Sequence, residues 1–378
     1  MNYSSPIWTV NEDITHHPQE QCRGVTEVRQ GLNVVRFREG DFVESKEGLI
    51  FDVKGVLHPP ERVMAFVRYI PSRNGDRERR GMRYRKIYAL SARYEFLTTH
   101  YPQYLVQDEV LGACVNAVPV HDLVHHYQPQ DKTRQLLRNN RVDGVERDAV
   151  DFITLLREAS SVTVENMGVS GSILVGLHTT QSDIDVIIYG RANGFVLRDT
   201  LKQLLRDGED VKAYGRDFLR RRHEIRQRAT PVSVPDYVYH ESRKSFQGTF
   251  KGRDFFLRYV KDWHEVAERY GDAIYRTMGY TTITGRVLDD AENLFTPCTY
   301  PLGDVEVLAG TAAPVTEVAS FRGRFCEQAV RGEWIMAQGK LERVSRKRQI
   351  HHRLLLGNDP RDYMVTRPER EVRGEEAR

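Results

Sequence analysis

Two aspartates one residue apart, Asp183 and Asp185, stand at the head of an apolar run that extends to Tyr189. In a β-strand, residues i and i+2 project from the same face, so the two carboxylates point at one place while Ile184 and Val186 face the other way. Two negative charges roughly 4 Å apart repel by about 4 kcal/mol at an effective dielectric of about 20, so such a pair usually shares a cation. Oxygen ligands on a rigid strand suit Mg²⁺ or Mn²⁺. The sequence therefore predicts a divalent-metal site at the start of this strand.

A Gly-Ser pair, Gly171-Ser172, lies shortly before the two aspartates. The pattern predicts a short strand at residues 164–169, a turn at residues 170–172 and a brief helix at residues 173–177. Backbone N–H groups at the start of a helix attract anions, and glycine lets a ligand approach the backbone closely. The turn is therefore expected to form an anion-binding site.

These residues, Gly171-Ser172 followed by Ser182, Asp183 and Asp185 with an apolar strand behind them, resemble the signature of the DNA polymerase beta-like nucleotidyltransferase superfamily. The resemblance implies that the Gly-Ser turn and Ser182 bind the phosphates of a nucleotide. It also implies that Asp183 and Asp185 hold the metals and that a third carboxylate lies on a neighbouring strand, some tens of residues downstream.

Asp254 is the best candidate for the third carboxylate, because an acid there interrupts a β-prone aromatic stretch at residues 250–259. Asp217 and Asp236 are competitors, but their charged or proline-flanked settings are typical of a helix end or a loop. The alternative to a metal role for Asp254 is a surface ion pair with Arg253 or Arg258.

Two cations just past Asp254 are candidates for binding the nucleotide. Arg258 and Lys261 could reach its phosphates if this stretch borders the site. The alternative is that they pair with Asp262 or Glu265.

The chain of 378 residues is too long for one ordinary core, and its pattern divides into parts. Residues 1–143 are expected to be β-rich with trailing helices, and their strands at residues 33–37, 48–53, 62–69 and 86–90 fit a meander or a small barrel. Residues 144–275 are expected to form the nucleotidyltransferase core, a mixed sheet with helices. Residues 276–358 again predict short strands and a small barrel, and residues 359–378 a charged, disordered tail. The expected fold class is α+β.

This layout is similar to a group of archaeal predicted nucleotidyltransferases, in which a β-rich N-terminal region precedes the transferase core. The segments that carry the similarity are Gly40-Asp41-Phe42, residues 48–55, His58-Pro59, residues 68–71, Gly323-Arg324-Phe325 and Gly332-Glu333.

Composition indicates which cellular location and which partners can be expected for the protein. No apolar run approaches the roughly 20 residues of a membrane helix, and the start of the chain lacks a signal-peptide pattern, so a soluble cytoplasmic protein is expected. The scattered cysteines lack the spacing of a structural zinc site. The net charge is only +3, but basic clusters at residues 77–86, 216–228 and 343–348 could contact RNA.

The sequence thus predicts a metal-dependent enzyme that moves a nucleoside monophosphate from an NTP to an acceptor hydroxyl and releases pyrophosphate. An RNA 3′ end is the first choice of acceptor. A protein hydroxyl or a small alcohol is the alternative acceptor, and a catalytically silent nucleotide- or RNA-binding protein is the alternative of a different class.

Overall fold

The computed structural model describes residues 28–30, 33–139, 141–226, 231–347 and 349–369. Within these residues the α-helices are α1 Leu90–His100, α2 Pro129–Arg138, α3 Gly144–Ser160, α4 Gly171–Leu174, α5 Arg191–Asp207, α6 Arg216–Arg226 and α7 Val234–Arg243. The strands are β1 Val28–Gln30, β2 Asn33–Val35, β3 Phe42–Ser45, β4 Ile50–Val53, β5 Arg62–Pro71, β6 Arg77–Arg79, β7 Met82–Lys86, β8 Leu105–Asp108, β9 Ala113–Pro119, β10 Leu123–Tyr127, β11 Met167–Val169, β12 Ile184–Tyr189, β13 Val211–Lys212, β14 Gln247–Phe250, β15 Arg253–Val260, β16 Ala273–Val287, β17 Cys298–Gly310, β18 Val315–Ser320, β19 Trp334–Arg346, β20 Gln349–Leu356 and β21 Tyr363–Arg367. The α+β class is confirmed, and no helix of the described chain is long and apolar enough to cross a membrane.

The N-terminal region forms an antiparallel sheet in the order β10-β3-β4-β5-β7-β6, and β9 joins it through β5 and carries β8. Burial alternates along β5, so Val63, Ala65 and Val67 face a core that Leu97 of α1 also enters. The expected strand at residues 86–90 is wrong, because the chain leaves β7 at the start of that segment and enters α1 at its end. This sheet is open as far as the described residues show, so of the two expected arrangements, a meander or a small barrel, the barrel does not occur in this region.

The N-terminal sheet also lies against the second region of the chain. Tyr69 shares a buried cluster with Leu174 and Leu177, which lie in α4 and just after it. The Ser170 hydroxyl donates a hydrogen bond of 2.7 Å to the carbonyl oxygen of Gly40. The segment that carries the Gly-Ser pair is therefore held in place by the N-terminal sheet as well as by its own sheet.

The second region is built on a sheet in the order β11-β12-β15-β14-β13, in which β12 and β15 run parallel. The strand β12 is buried along most of its length, and Phe152 of α3 packs with Phe250 and Phe255 from the neighbouring strands. The helix α3 begins where the Asp143 carboxylate accepts a hydrogen bond from the Glu146 backbone N–H, at 2.8 Å. This packing fixes the position of the start of β12, where the two aspartates lie, between the neighbouring strands β11 and β15.

The C-terminal region contains a closed barrel of five strands, β16-β17-β18-β20-β19, which β16 and β19 close. The expected barrel is confirmed here, but its strands are longer than predicted and begin at Ala273 rather than at residue 276. The expectation of a disordered tail from residue 359 is wrong for its first part, because β21 pairs with β19 and buries Met364 and Val365. Residues 370–378 lie outside the described residues.

Two buried histidines should make the stability of the fold depend on pH. His58 Nδ1 accepts from the Met64 N–H and His58 Nε2 donates to the Phe37 carbonyl; His240 Nδ1 donates to Gln328 and His240 Nε2 accepts from Thr366. Each ring is therefore neutral, and burial lowers the pKa of each to about 4.

Since the folded-state pKa lies below the unfolded value of about 6.5, each ring's contribution to stability is complete above that value and is lost as the pH falls towards 4. We expect His58→Gln and His240→Gln each to lower the free energy of unfolding relative to the wild type. This decrease should be smaller at pH 5 than at pH 7.5 by about 2 kcal/mol. The measurement is urea unfolding at both pH values, with the exposed His264→Gln as control. An equal cost at both pH values for the two buried histidines would contradict their neutral state.

Candidate active site

Asp183 and Asp185 lie at the point where the chain enters β12, as predicted. Asp183 is exposed and Asp185 is half-buried, while Ile184 between them is fully buried. Burial, followed by the charge of Asp183, raises the pKa of Asp185 to about 7. The two carboxylates therefore repel each other, which is the electrostatic state that a bound divalent cation would relieve.

Gly171 allows the Gly-Ser turn to touch the second aspartate. Its φ is +62°, and a Cβ atom added to it would fall on Asp185 Oδ2 and lie 2.7 Å from Asp185 Cγ. A side chain at this position would be strained in its backbone and would displace the carboxylate as well. The glycine predicted from the motif thus has a defined steric role in the carboxylate site.

Ser172 is buried, and within the described part of the chain its hydroxyl oxygen has no hydrogen-bond partner. A buried hydroxyl without a partner is costly unless a ligand supplies one. The predicted helix after it is shorter than expected and begins one residue before Ser172, because α4 is a single turn, Gly171–Leu174. So short a helix has little dipole, and phosphate binding here must depend on the serine hydroxyl and on cations nearby.

Asp254 lies on β15, the strand next to β12. Ile184 pairs with Phe255, so continuing this parallel register by one residue places Asp254 beside Asp183, on the same face of the sheet. Asp254 also hydrogen-bonds with Tyr214; burial, with a smaller contribution from Asp254, raises the pKa of that hydroxyl. Tyr214 is a residue that the sequence did not identify.

The alternatives for the third carboxylate are engaged elsewhere. Asp217 is exposed in the first turn of α6, and Asp236 forms an ion pair with Arg367 at 2.7 Å. The two arginines considered as surface partners of Asp254 bind other acids, since Arg253 pairs with Asp148 and Arg258 with Glu39.

The three predicted carboxylates do not form a ready-made metal cage. Across the described ranges, no three His, Cys, Asp or Glu side chains are arranged to hold one metal ion. A Mg²⁺ ion commonly uses one or two protein carboxylates and takes its other ligands from water and substrate phosphates. The Asp183 and Asp185 pair, with the unpartnered Ser172 hydroxyl beside it, fits that mode of binding.

The other predicted nucleotide-binding residues have partners. The Ser182 hydroxyl accepts a hydrogen bond of 2.9 Å from the Thr179 N–H, so it holds the loop before β12. Arg258 is ion-paired with Glu39, and Lys261 Nζ lies 2.6 Å from Glu292 Oε2 rather than near Asp262 or Glu265. Their assignment to nucleotide phosphates stays a prediction.

The N-terminal sheet brings to the carboxylates two cations that the sequence did not assign to this site. Arg68 of β5 and Lys86 of β7 interact electrostatically with Asp185 and lower its pKa, against the larger effects of burial and Asp183. Burial, followed by Arg68, lowers the pKa of Lys86 to about 8. The candidate site is therefore a composite of two regions of the chain. No local pattern assigns these cations to the carboxylates, because only the packing of the N-terminal sheet brings them to β12.

A comparison with characterised and uncharacterised proteins gives one relative. The chain is 31% identical over 332 residues to the uncharacterized protein MJ1086 of Methanocaldococcus jannaschii, and the match covers 85% of this chain and 96% of that protein. No family model and no solved structure matches the chain.

Proposed function

This chain belongs to the family of the uncharacterized archaeal protein MJ1086, and from its site we propose that it is a metal-dependent nucleotidyltransferase. The observation that carries the proposal is the contact of Gly171 with the carboxylate of Asp185, which already repels Asp183. A strand with two carboxylates on one face, touched by a glycine turn whose serine lacks a partner, is suited to a metal-bound triphosphate.

The proposed reaction is an in-line displacement at the α-phosphorus of an NTP. Bound divalent ions would stabilise negative charge on the attacking and leaving oxygens. Asp183 and Asp185 would hold them, and the Ser172 hydroxyl would donate to the leaving phosphates. The acceptor oxygen bonds to the α-phosphorus, the bond from that phosphorus to the pyrophosphate oxygen breaks, and pyrophosphate leaves. The hydroxyl proton passes to Asp254 and then to water.

An RNA 3′ end is the acceptor that we favour. The hairpin of β6 and β7 exposes Arg80, Arg83 and Arg85, next to the half-exposed Met82, on the sheet that supplies cations to the site. Exposed arginines pair with backbone phosphates without regard to sequence. Two cations of the basic segment, Arg77 and Arg79, instead bind the segment after α4, so only part of that segment is open to a partner.

The test is incubation of the protein with each α-labelled NTP, Mg²⁺ or Mn²⁺, and total RNA of the source organism. Asp183→Asn/Asp185→Asn serves as the inactive variant, and the exposed Asp199→Asn as the matched control. We expect label in RNA with the wild type and with Asp199→Asn, and none with the double variant. Metal-dependent label in the protein band or in a small molecule would mean that the acceptor is a protein or a small molecule and not RNA. No metal-dependent label in any fraction would contradict nucleotidyl transfer.

A further inference from the structure

Four cations from two regions of the chain share one space beside the candidate active site. They are Arg68, Lys86, Arg93 and Arg322, and we refer to them as the basic cluster. The ring of Tyr88 lies 5.8 Å from the guanidinium of Arg68 and 5.1 Å from the Lys86 ammonium. Arg93 Nη2 donates to the carbonyl of the same tyrosine at 3.3 Å. Three members of the cluster are therefore gathered around Tyr88.

The fourth cation reaches this space from the C-terminal region. Arg322 follows β18, and its neighbour Phe321 lies 3.8 Å from the position of a Cβ on Gly55, at the end of β4. On its other side, Gly323 packs on the ring of Phe256. Burial, followed by Arg68, lowers the pKa of Arg93 to about 10, and Arg322 contributes to the same effect. The C-terminal region thus supplies the fourth cation of the basic cluster.

The basic cluster lacks the carboxylate partners that buried cations normally have. In the part of the chain that the structure describes, no member forms a salt bridge, and Arg93 is buried with hydrogen bonds to backbone carbonyls only. The carboxylates that act on these cations from a distance have other roles. Asp52, which acts on Arg93 and Arg322, is paired with Lys54 at 2.7 Å, and Asp183 and Asp185, which act on Lys86, form the proposed metal site. Partly buried cations that repel one another and form no close ion pair cost free energy, so the arrangement fits a protein that binds an anion at this place.

The cluster extends to the side of the carboxylates away from the Gly-Ser turn. In the sheet, β11 and β15 lie on opposite sides of β12. Ser172 follows β11. On the other side, Gly323, the chain neighbour of Arg322, packs on Phe256, the residue of β15 that pairs with Asp185. In an in-line displacement the attacking group enters opposite to the leaving group. If Ser172 holds the leaving phosphates, the acceptor enters from the side of β15 and Arg322.

We propose that the basic cluster binds a phosphate group of the acceptor, so that the acceptor is the end of a single-stranded nucleotide chain. This inference rests on the proposed nucleotidyl transfer and names its acceptor site. The last phosphodiester lies among the four cations, and the ring of Tyr88, which is 67% exposed, stacks on a base.

The test measures binding of a short fluorescent single-stranded RNA to the full chain without divalent metal. A second RNA carries an uncharged methylphosphonate in place of its last phosphodiester. The variants are Arg68→Gln and Arg322→Gln, and Arg85→Gln is the control, an exposed cation next to Lys86 in the same strand. Binding of a fluorescent ATP analogue with Ca²⁺ is measured in parallel on every variant.

We expect the methylphosphonate to weaken binding to the wild type about tenfold. Each variant should weaken binding of the ordinary RNA by a similar factor, lower the slope of log affinity against log salt by about 1, and no longer distinguish the two RNAs. Binding of the ATP analogue to Arg322→Gln should stay within about twofold. The methylphosphonate result uses the wild-type protein, so it does not depend on the folding of a variant.

Other outcomes overturn the inference. Weakened binding of the ATP analogue with unchanged RNA binding would assign the cluster to the triphosphate. If Arg85→Gln weakened RNA binding as much as the other variants, or if the methylphosphonate had no effect, the cations would attract RNA in general and would not bind one particular phosphate. RNA binding in this test needs neither metal nor transfer. If the RNA results are as expected but the protein shows no nucleotidyl transfer, the proposed reaction is contradicted and the phosphate site is not.

Discussion

Replacing Asp185 by Asn is expected to raise the free energy of unfolding of the metal-free protein by about 1–3 kcal/mol and to lower the transfer rate at least about a thousandfold. The stabilisation follows because the variant removes a carboxylate whose pKa is raised to about 7 by burial and by Asp183. The loss of rate follows because the same carboxylate is a proposed metal ligand. A residue that destabilises the fold and is needed for activity is expected at a functional site.

The measurements are urea unfolding at pH 8, where Asp185 is ionised, and titration with Mn²⁺ followed by electron paramagnetic resonance. Asp199→Asn is the control, since its carboxylate is exposed on α5 and paired with Arg198. It should change neither quantity. A variant at Asp185 that binds Mn²⁺ as tightly as the wild type would contradict the assignment of this residue to the metal.

Replacing Gly171 by Ala is expected to lower kcat/KM for the NTP by at least about a hundredfold. The added methyl group would fall on the carboxylate of Asp185, and a displacement of about 1 Å at a reacting site can cost this much. The backbone strain of a non-glycine residue at φ +62° adds about 1–2 kcal/mol of instability.

Gly252→Ala separates the steric effect from the backbone effect. Its φ is +82°, similarly left-handed, but a Cβ there would meet nothing within 4 Å. Both variants should lose a similar amount of stability, and only Gly171→Ala should lose activity and Mn²⁺ affinity. If the two variants lose activity equally, the contact with Asp185 has no special role.

The sequence was sufficient for the parts of the site that lie on one segment. The apolar run that follows the aspartates predicts β12, and the period of a strand predicts that the two carboxylates share a face. The glycine of the turn, which is expected to let a ligand approach, lies against the Asp185 carboxylate. Asp254 was placed on a neighbouring strand, and the parallel register of β12 and β15 places it next to Asp183. These features depend on the period of a strand and on local steric requirements, which one sequence contains.

Some elements were misjudged because a local signal had a different cause. Glycines among the short strands expected at residues 276–358 suggest turns between strands, but Gly339 lies inside β19, where a Cβ would come 2.8 Å from the Leu355 carbonyl oxygen of β20. Glycine there permits close contact between strands rather than a turn. The strand β7, Met82–Lys86, buries only Tyr84, so it lacks the apolar alternation that identifies strands.

The basic cluster could not be predicted from sequence. Arg68 and Arg322 are more than 250 residues apart in the chain, and nothing in the local sequence of either links it to the other. Their proximity depends on the packing of the N-terminal sheet and the C-terminal region against β12 and β15. Only the tertiary structure distinguishes them from exposed arginines such as Arg85.

The most direct test of the central claim is diffraction from crystals soaked with Mn²⁺ and a non-hydrolysable NTP, recorded where manganese scatters anomalously. We expect at least one manganese peak bound by Asp183 and Asp185, with the β- and γ-phosphates of the nucleotide next to the Ser172 hydroxyl. Nucleotide bound elsewhere, or an ordered nucleotide without manganese at the two aspartates, would contradict the account of this site as a metal-dependent nucleotidyl transfer centre.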